Sequence, residues 1–192
     1  PTHDREKVKR AGTYDAYLHA LGIADGSGSV IPKMADKYKQ INKYLEIIEG
    51  LLADVEITEP IRIVDMGSGK GYLTFALYDY LVNKCKKVAQ VIGVEMRSDL
   101  VDYCNKTAQT CGFEHLHFIQ SSIKDFVFSQ TDVVIALHAC DTATDDAIAK
   151  AIHAQAKLIV CAPCCQKQLR QQVKGREQTD PAMKYGIFKE RQ

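Results

Sequence analysis

Apolar residues in the later part of the chain form short runs separated by longer amphipathic stretches. The runs are rich in Val and Ile, and most are apolar at consecutive positions rather than at alternate ones. Strands that are buried on both faces of a parallel sheet have this composition. We therefore predict strands at IRIVDM (61–66), VIGVE (91–95), LHFIQ (116–120), DVVIAL (132–137) and KLIVCA (157–162).

The stretches between these runs predict helices. They are YLTFALYDYLVNKC (72–85), SDLVDYCNKTAQTC (98–111), a short piece near 123–128 and ATDDAIAKAIHAQ (143–155). Ser98 is the expected N-cap of the second helix, and Gly112 is its expected stop. This alternation predicts an α/β fold with a doubly wound, mainly parallel sheet. Since little sequence follows the fifth run, we expect the last strands of the full fold to be missing from this chain.

The segment before Pro60 has a different pattern. Apolar residues between Ala35 and about Val55 recur three to four positions apart, as on one face of a helix. They are Tyr38, Ile41, Leu45, Ile48 and Leu52. TEP (58–60) closes this pattern. We therefore predict an N-terminal helical extension at 1–58 and a main domain at 59–192.

Composition narrows the classes of function. The net charge of +1 provides no overall field that attracts nucleic acid or an anionic membrane, so a nucleic-acid site has to be a local patch. The seven cysteines lack the spacing of a disulfide scaffold, which predicts a reducing, cytoplasmic compartment. No apolar run approaches the length of a membrane span. The first residue, Pro1, is typical of a processed product or an expressed fragment.

The segment VDMGSGKGYL (64–73) follows the first predicted strand and carries glycine at alternate positions. In a doubly wound sheet, ligands bind beyond the carboxyl ends of the strands, so this loop is the expected ligand site. A triphosphate loop requires GxxxxGK followed by Ser or Thr, whereas here Gly71 follows Lys70. A dinucleotide loop requires GxGxxG, and here Tyr72 stands in the place of the third glycine.

Two acidic residues favour a ligand with a cationic group. Asp65, just before the loop, repels a pyrophosphate and attracts an ammonium. Glu95 ends the second predicted strand, where a carboxylate can accept hydrogen bonds from both hydroxyls of a ribose. S-adenosylmethionine carries an ammonium, a sulfonium and a ribose, and it has no phosphate. The alternative is a glycine-rich turn that only connects strand to helix.

The segments VDMGSGKGYLTFAL and GVEMRSDLV, with the order of the strands, resemble the class I S-adenosylmethionine-dependent methyltransferases from residue 61 to about 170. The resemblance implies S-adenosylmethionine as the cofactor. Its methionine moiety would then be held by Asp65, Gly67, Ser68, Gly69 and Gly71. By the same resemblance, Glu95 would hold the ribose and Met96 would pack on the adenine. Ser122 and Ile123 would lie at the adenine amine.

A second group of reactive side chains follows the fourth and fifth predicted strands, in LHACDTATDDAI (137–148) and CAPCCQK (161–167). Asp145 and Asp146 suit the first turn of a helix. Asp141 and His138 are the candidate catalytic residues, as bases that take a proton from a hydroxyl or amine acceptor. Zinc binding is the alternative, but the spacing matches no standard zinc pattern, so no metal is predicted. The zinc ligands would be His138, Cys140, Cys164 and Cys165.

These two motifs resemble a branch of the class, that of the methyltransferase-like and glutathione-transferase C-terminal-domain-containing proteins. The resemblance to the eukaryotic tRNA acceptor-stem 2′-O-methyltransferase is more distant, because Gln166 and Lys167 stand where that enzyme has histidines. The class implies methyl transfer, and we expect the acceptor to be an O or N nucleophile, on RNA or on another macromolecule. Basic patches would contact it, at Lys33, Lys37, Lys39 and Lys43 and at Lys167, Arg170, Lys174 and Arg176. The alternative is a noncatalytic cofactor-binding or interaction module.

Overall fold

The computed structural model of the chain describes residues 9–137, 139 and 142–162. Within these ranges, five strands form one parallel sheet in the order β3-β2-β1-β4-β5. The strands are β1 (Ile61–Met66), β2 (Ala89–Glu95), β3 (Leu116–Gln120), β4 (Val133–Ala136) and β5 (Leu158–Cys161). The order reverses between β1 and β4, which is the switch point of a doubly wound sheet. The predicted α/β fold is therefore confirmed, and all five strands are parallel.

Helices connect the strands as the sequence predicts. They are α1 (Ala16–Ala20), α2 (Ala35–Ala53), α3 (Tyr72–Asp79), α4 (Ser98–Thr110) and α5 (Thr142–His153). A 3₁₀ turn at Pro32–Met34 leads into α2, and a π-helical turn at Tyr80–Lys84 prolongs α3. The piece near 123–128 is not a helix, because it forms only a turn before Phe126.

Of the two predicted boundaries of α4, the C-terminal one is confirmed and the N-terminal one is wrong. Ser98 is already the first helical residue, and Arg97 takes the N-cap position without a side-chain capping bond, so the predicted N-cap is wrong by one residue. Gly112 does stop the helix, with a φ of 68°. Its N–H donates to the carbonyl oxygen of Gln109 at 3.1 Å. A left-handed residue at this position ends many helices, and glycine adopts it without steric cost.

The sheet is buried on both faces, and alternate residues of each strand belong to different hydrophobic clusters. On β4, Val133 and Ile135 join the cluster that contains α1 to α4. Val134 and Ala136 join the cluster on the α5 side. All four side chains are almost fully buried. This two-sided burial explains why the strands are apolar at consecutive positions.

The segment before β1 is attached to the sheet domain by packing and by hydrogen bonds. Side chains from both sides of the predicted boundary near residue 58 share one hydrophobic cluster. The hydroxyl of Tyr38 on α2 donates to the carbonyl oxygen of Ala11 at 2.6 Å. The ammonium of Lys84 donates to the carbonyl oxygen of Arg10 at 2.8 Å and pairs with Asp15 at 2.5 Å. These contacts fix α2 beside α3.

The edge strand β3 is covered at its centre by a side chain of α4. Asn105 Nδ2 donates to the carbonyl oxygen of Phe118 at 2.8 Å, and Asn105 Oδ1 accepts from the N–H of the same residue at 2.8 Å. The amide thus takes the place of a neighbouring strand at this position. Covering an edge in this way removes two unpaired backbone groups that could otherwise pair with another chain.

Replacing Asn105 by alanine is expected to lower the free energy of unfolding by about 1–3 kcal/mol, because both backbone groups of Phe118 lose their partner. Urea unfolding followed by circular dichroism measures the change. Gln109→Ala, one turn later on the exposed side of α4, is the matched control and should unfold at nearly the wild-type urea concentration. An Asn105→Ala midpoint equal to that of the control would contradict this role.

Candidate functional site

The loop at residues 67–71 connects β1 to α3 at the carboxyl edge of the sheet. Gly67, Gly69 and Gly71 all have positive φ, at 75°, 56° and 71°. A Cβ added at Gly71 would lie 3.0 Å from the ring of Phe75 and 3.1 Å from that of Phe118. Both the conformation and the lack of space therefore require glycine at this position. The predicted glycine loop is therefore a tight turn whose conformation depends on its glycines.

The backbone N–H of Ser68 forms a hydrogen bond, whereas its side-chain hydroxyl forms none with the described residues. The N–H groups of Gly67 and Ser68 donate to the carbonyl oxygen of Val94 at 2.8 and 3.0 Å, which joins the loop to the end of β2. The Ser68 hydroxyl is buried and has no hydrogen-bond partner among the described residues. Gly93 lies beneath it, where a Cβ would come within 3.0 Å of that hydroxyl. A buried hydroxyl without a partner is costly, so it suits a site that a ligand completes.

Asp65 lies on β1 between Gly93 of β2 and Ile135 of β4. Its carboxylate is buried, and Oδ2 accepts a hydrogen bond from the Thr74 hydroxyl at 2.5 Å. Burial raises the pKa of Asp65 to about 6, against the opposite effect of the Thr74 bond. No ion pair with Asp65 occurs within the described ranges. The site therefore offers a buried carboxylate to a positively charged ligand group.

Glu95 ends β2 and connects the glycine loop to the start of α4. Its Oε2 accepts the N–H of Gly69 at 2.9 Å, and its Oε1 accepts the N–H of Arg97 at 3.0 Å. A carboxylate oxygen can accept more than one hydrogen bond, so each oxygen keeps capacity for a hydroxyl of a ligand. The sequence predicts the ligand role of this residue. It gives no signal for the bond to Gly69, because a backbone N–H belongs to every residue except proline.

The three residues expected near the adenine lie at the ends of β2 and β3. Met96 is 69% exposed. The Ser122 hydroxyl donates to Asp125 Oδ2 at 2.6 Å and accepts the N–H of Asp125 at 3.0 Å. Ile123 is partly buried against the hydrophobic cluster on the α5 side. The side chain of Ser122 therefore stabilises a local turn, and Met96 offers an uncovered apolar surface.

A cleft of about 180 Å³ runs beside the glycine loop. Its lining includes residues that the sequence predicted and residues that it did not. The lining residues are Lys37, Asp65, Gly67, Ser68, Gly69, Lys70, Tyr72, Leu73 and Leu137. Gly71, Glu95, Met96, Ser122 and Ile123 do not line it, although Glu95 contacts its wall through Gly69. The cofactor residues predicted from the sequence did not include Lys37, Lys70, Tyr72, Leu73 or Leu137.

Helix α2 forms one wall of this cleft. The Lys37 ammonium lies 5.3 Å from the centroid of the Tyr72 ring. Tyr44, also on α2, has a buried hydroxyl with no partner among the described residues. Burial raises the pKa of Tyr44, and the charge of Asp65 raises it further. The N-terminal segment thus contributes directly to the surroundings of Asp65.

The candidates for catalysis and zinc binding lie outside the described residues. They are His138, Cys140, Asp141, Cys164 and Cys165. Among the residues that are described, no group of three or more His, Cys, Asp or Glu side chains is placed to hold a metal ion. Every helix among the described residues is too short or too polar to cross a membrane.

The first predicted basic patch is divided by the structure. Lys39 pairs with Asp36 and Lys43 pairs with Glu46, each at 3.1 Å, on the exposed surface of α2. Lys37 instead lines the cleft. The second basic patch lies outside the described residues. Its members are Lys167, Arg170, Lys174 and Arg176.

Comparison with known proteins gives matches over most of the chain. A family model described as "Methyltransferase domain" matches residues 36–172. The glutathione S-transferase C-terminal domain-containing protein of Mus musculus is 33% identical over 104 residues, 54% of this chain and 15% of that protein. Its homolog in Drosophila melanogaster is 30% identical over 143 residues, 74% of this chain and 23% of that protein. The chain thus spans less than a quarter of either relative.

Solved structures also resemble the chain. One is an RNA methyltransferase from Salinibacter ruber in complex with S-adenosyl-L-homocysteine. It has a TM-score of 0.46 and 22% sequence identity, and the match covers 64% of this chain and 73% of that chain.

Proposed function

The chain belongs to the methyltransferase domain family, whose members depend on S-adenosylmethionine, and from this premise we propose how its residues bind the cofactor and use it. The proposal rests above all on one observation. Asp65 is a buried carboxylate without a cationic partner among the described residues, and it lies at the carboxyl end of β1 beside a glycine loop. A bound ammonium group would supply the missing positive charge.

The residues around Asp65 suit the methionine end of the cofactor. In the proposed complex, Asp65 binds the α-ammonium group, directly or through water. The glycine loop at 67–71 allows the ligand to approach its backbone, because no Cβ occupies the space at three of its five positions. Ser68 lines the same cleft and completes the proposed set of residues around the methionine moiety.

The adenosine end of the cofactor is assigned to the ends of β2 and β3. Glu95 accepts hydrogen bonds from the ribose hydroxyls with the capacity that its bonds to Gly69 and Arg97 leave. Met96, which is exposed, packs on the adenine ring. Ile123 adds an apolar contact, and the Ser122 hydroxyl accepts from the adenine amine with the lone pair that its bonds to Asp125 leave free.

The proposed reaction is methyl transfer to an O or N nucleophile. When bound, S-adenosylmethionine supplies a methyl group that its sulfonium makes electrophilic. The chain contributes mainly by holding the acceptor in line with that group and by excluding water. We assign the removal of the acceptor proton to Asp141 or His138, which follow β4 in the sequence.

RNA is the proposed acceptor. Its support is the more distant resemblance of the LHACDTATDD and APCC segments to a tRNA methyltransferase, together with the basic residues near the cleft. Lys70 lines the cleft itself, and Lys33 precedes α2. With a net charge of +1, contact with phosphates has to come from such local groups.

A cytoplasmic location is proposed on the basis of cysteine usage. The chain has seven cysteines without the spacing of a disulfide scaffold. The four that the structure describes, Cys85, Cys104, Cys111 and Cys161, are free thiols. Unpaired thiols are typical of a reducing compartment.

Incubation of the chain with S-adenosylmethionine labelled on its methyl group should transfer label to total RNA and not to a protein extract. The labelled fraction should be sensitive to ribonuclease. His138→Ala or Asp141→Ala should lower this transfer by about 100-fold or more, the usual size of a general-base effect. Cofactor affinity, measured by calorimetry, should stay unchanged in the same variants.

Asp145→Ala, in the first turn of α5, is the control and should retain turnover. Full turnover in both the His138 and the Asp141 variants would refute their catalytic role. Label in protein rather than RNA would replace the acceptor class. Cofactor binding without transfer to either fraction would favour the noncatalytic module.

A further inference from the structure

The cleft beside the glycine loop contains a cation whose position only the folded chain reveals. Lys37 belongs to α2, which precedes β1 in the sequence, and its side chain is partly buried. It lines the same cleft as Asp65 and the glycine loop. A lysine in this position has the reach to meet a ligand group that lies between the loop and α2.

The Lys37 side chain is held in the cleft by neutral groups. Its ammonium lies over the ring of Tyr72, the first residue of α3, and donates to Gln40 Oε1 at 2.7 Å. Within the part of the chain that the structure describes, no carboxylate pairs with it. Lys39 and Lys43, on the same helix, each have an acidic partner. Lys37 therefore keeps its charge available to a ligand.

The charges of the cleft match those of an α-amino acid. Among the described residues that line the cleft, Asp65 is the only acidic one, and Lys37 and Lys70 are the cations. The amino-acid end of S-adenosylmethionine carries one ammonium and one carboxylate. Asp65 suits the ammonium, which leaves the carboxylate in need of a cation. Lys70 is exposed, whereas Lys37 is partly buried and positioned by Tyr72, so its ion pair would be less screened by water.

From these contacts we propose that Lys37 binds the carboxylate of the cofactor's methionine moiety, and that α2 is therefore a wall of the cofactor site. The inference rests on the proposed function and adds a residue that positions the amino-acid end. It predicts that the chain distinguishes ligands by the presence of that carboxylate. Loss of a charge-assisted bond of this kind corresponds to about 10- to 100-fold in affinity.

Calorimetric titration with two ligands tests this assignment. S-adenosylmethionine has the carboxylate, and decarboxylated S-adenosylmethionine lacks it but keeps the amine, the sulfonium and the adenosine. Lys37→Met should weaken binding of the first ligand by about 10- to 100-fold and leave binding of the second unchanged. Lys37→Arg, which keeps the charge, should retain most of the affinity. Lys106→Met, on the exposed face of α4, is the matched control and should bind both ligands as the wild type does.

The outcomes separate this inference from the proposed function. Equal binding of S-adenosylmethionine by the wild type and by Lys37→Met would overturn the role of Lys37 alone, as would an equal loss of both ligands. A loss of carboxylate preference in Lys70→Met but not in Lys37→Met would also overturn it. If the wild type binds neither ligand, the proposed function fails and the inference fails with it. Lys37→Gln serves as the second variant if the methionine variant melts at a lower temperature than the wild type.

Discussion

Replacing Glu95 by alanine is expected to weaken the binding of S-adenosylmethionine by about 100-fold or more. The variant loses the proposed acceptor for the ribose hydroxyls, and it also loses the bond from the N–H of Gly69 to Oε2 that holds the glycine loop. Glu95→Gln, which keeps a carbonyl oxygen of similar position, should lose about 10-fold. Calorimetric titration at neutral pH measures both dissociation constants.

The control for Glu95→Ala is a variant that removes another carboxylate without altering the site. Asp102→Ala, on the exposed side of α4, meets this need and should bind the cofactor with wild-type affinity. A Glu95→Ala affinity within twofold of the wild type would show that neither the ribose contact nor the bond to Gly69 contributes to binding.

Replacing Asp65 by asparagine is expected to abolish cofactor binding and at the same time to stabilise the ligand-free chain at pH 8. Burial raises the pKa of Asp65 from 3.8 to about 6, which corresponds to about 3 kcal/mol of destabilisation when the carboxylate is charged. The asparagine has no charge to bury and can still accept the bond from Thr74. Its buried NH₂ group offsets part of the gain, so the free energy of unfolding should rise by about 1–2 kcal/mol.

The pH dependence of this effect has a definite sign. Since the pKa of Asp65 is higher in the folded chain than in the unfolded chain, protonation favours the folded state. That contribution is fully present below the unfolded value of 3.8 and is lost as the pH rises through about 6. The difference in stability between Asp65→Asn and the wild type should therefore be small at pH 4 and fully developed above pH 6. Urea unfolding at several pH values measures it.

Asp132 provides the matched control for Asp65. It is also a buried aspartate beside the sheet, but it pairs with Lys157 at 3.6 Å and accepts the N–H of Arg62 at 3.0 Å. Asp132→Asn removes a compensated charge and should lower the free energy of unfolding. If Asp65→Asn were destabilising to the same extent at pH 8, Asp65 would be a structural carboxylate and not one kept for a ligand.

These two substitutions affect the same site through different physical terms. Glu95 accepts hydrogen bonds from two backbone N–H groups and stabilises the loop, so its loss would weaken both the loop and the proposed ribose contact. Asp65 is a charge that the fold buries at a cost, and a ligand with an ammonium group would offset that cost. A site that is strained without its ligand is a common feature of functional positions.

The sequence predicted the sheet well because its signal is local and strong. Strands buried on both faces have to be apolar at consecutive positions, and the five runs became β1 to β5 with shifts of one or two residues at their ends. Predictions that depended on single side chains were weaker. Ser98 is inside α4 and not at its N-cap, and the piece near 123–128 is a turn stabilised by Ser122 and Asp125.

The candidate site also contains features that could be predicted from local sequence. Asp65 and Glu95 end neighbouring parallel strands, and a parallel sheet brings the carboxyl ends of its strands to one edge, so the sequence was enough to predict them together. The glycines at 67, 69 and 71 could also be read locally, because each is needed for a positive φ. These features follow from chain direction and backbone sterics.

By itself, then, the sequence determined the doubly wound sheet, the glycine loop and the two acids at the ends of β1 and β2. Only the tertiary structure decided that Asn105 covers the edge of β3 at Phe118, that Glu95 holds Gly69, and that Lys37 enters the cleft. Each of these contacts joins residues far apart in the sequence through a side chain with several rotamers. Their partners are chosen by how helices pack on the sheet, and no local periodicity records that choice.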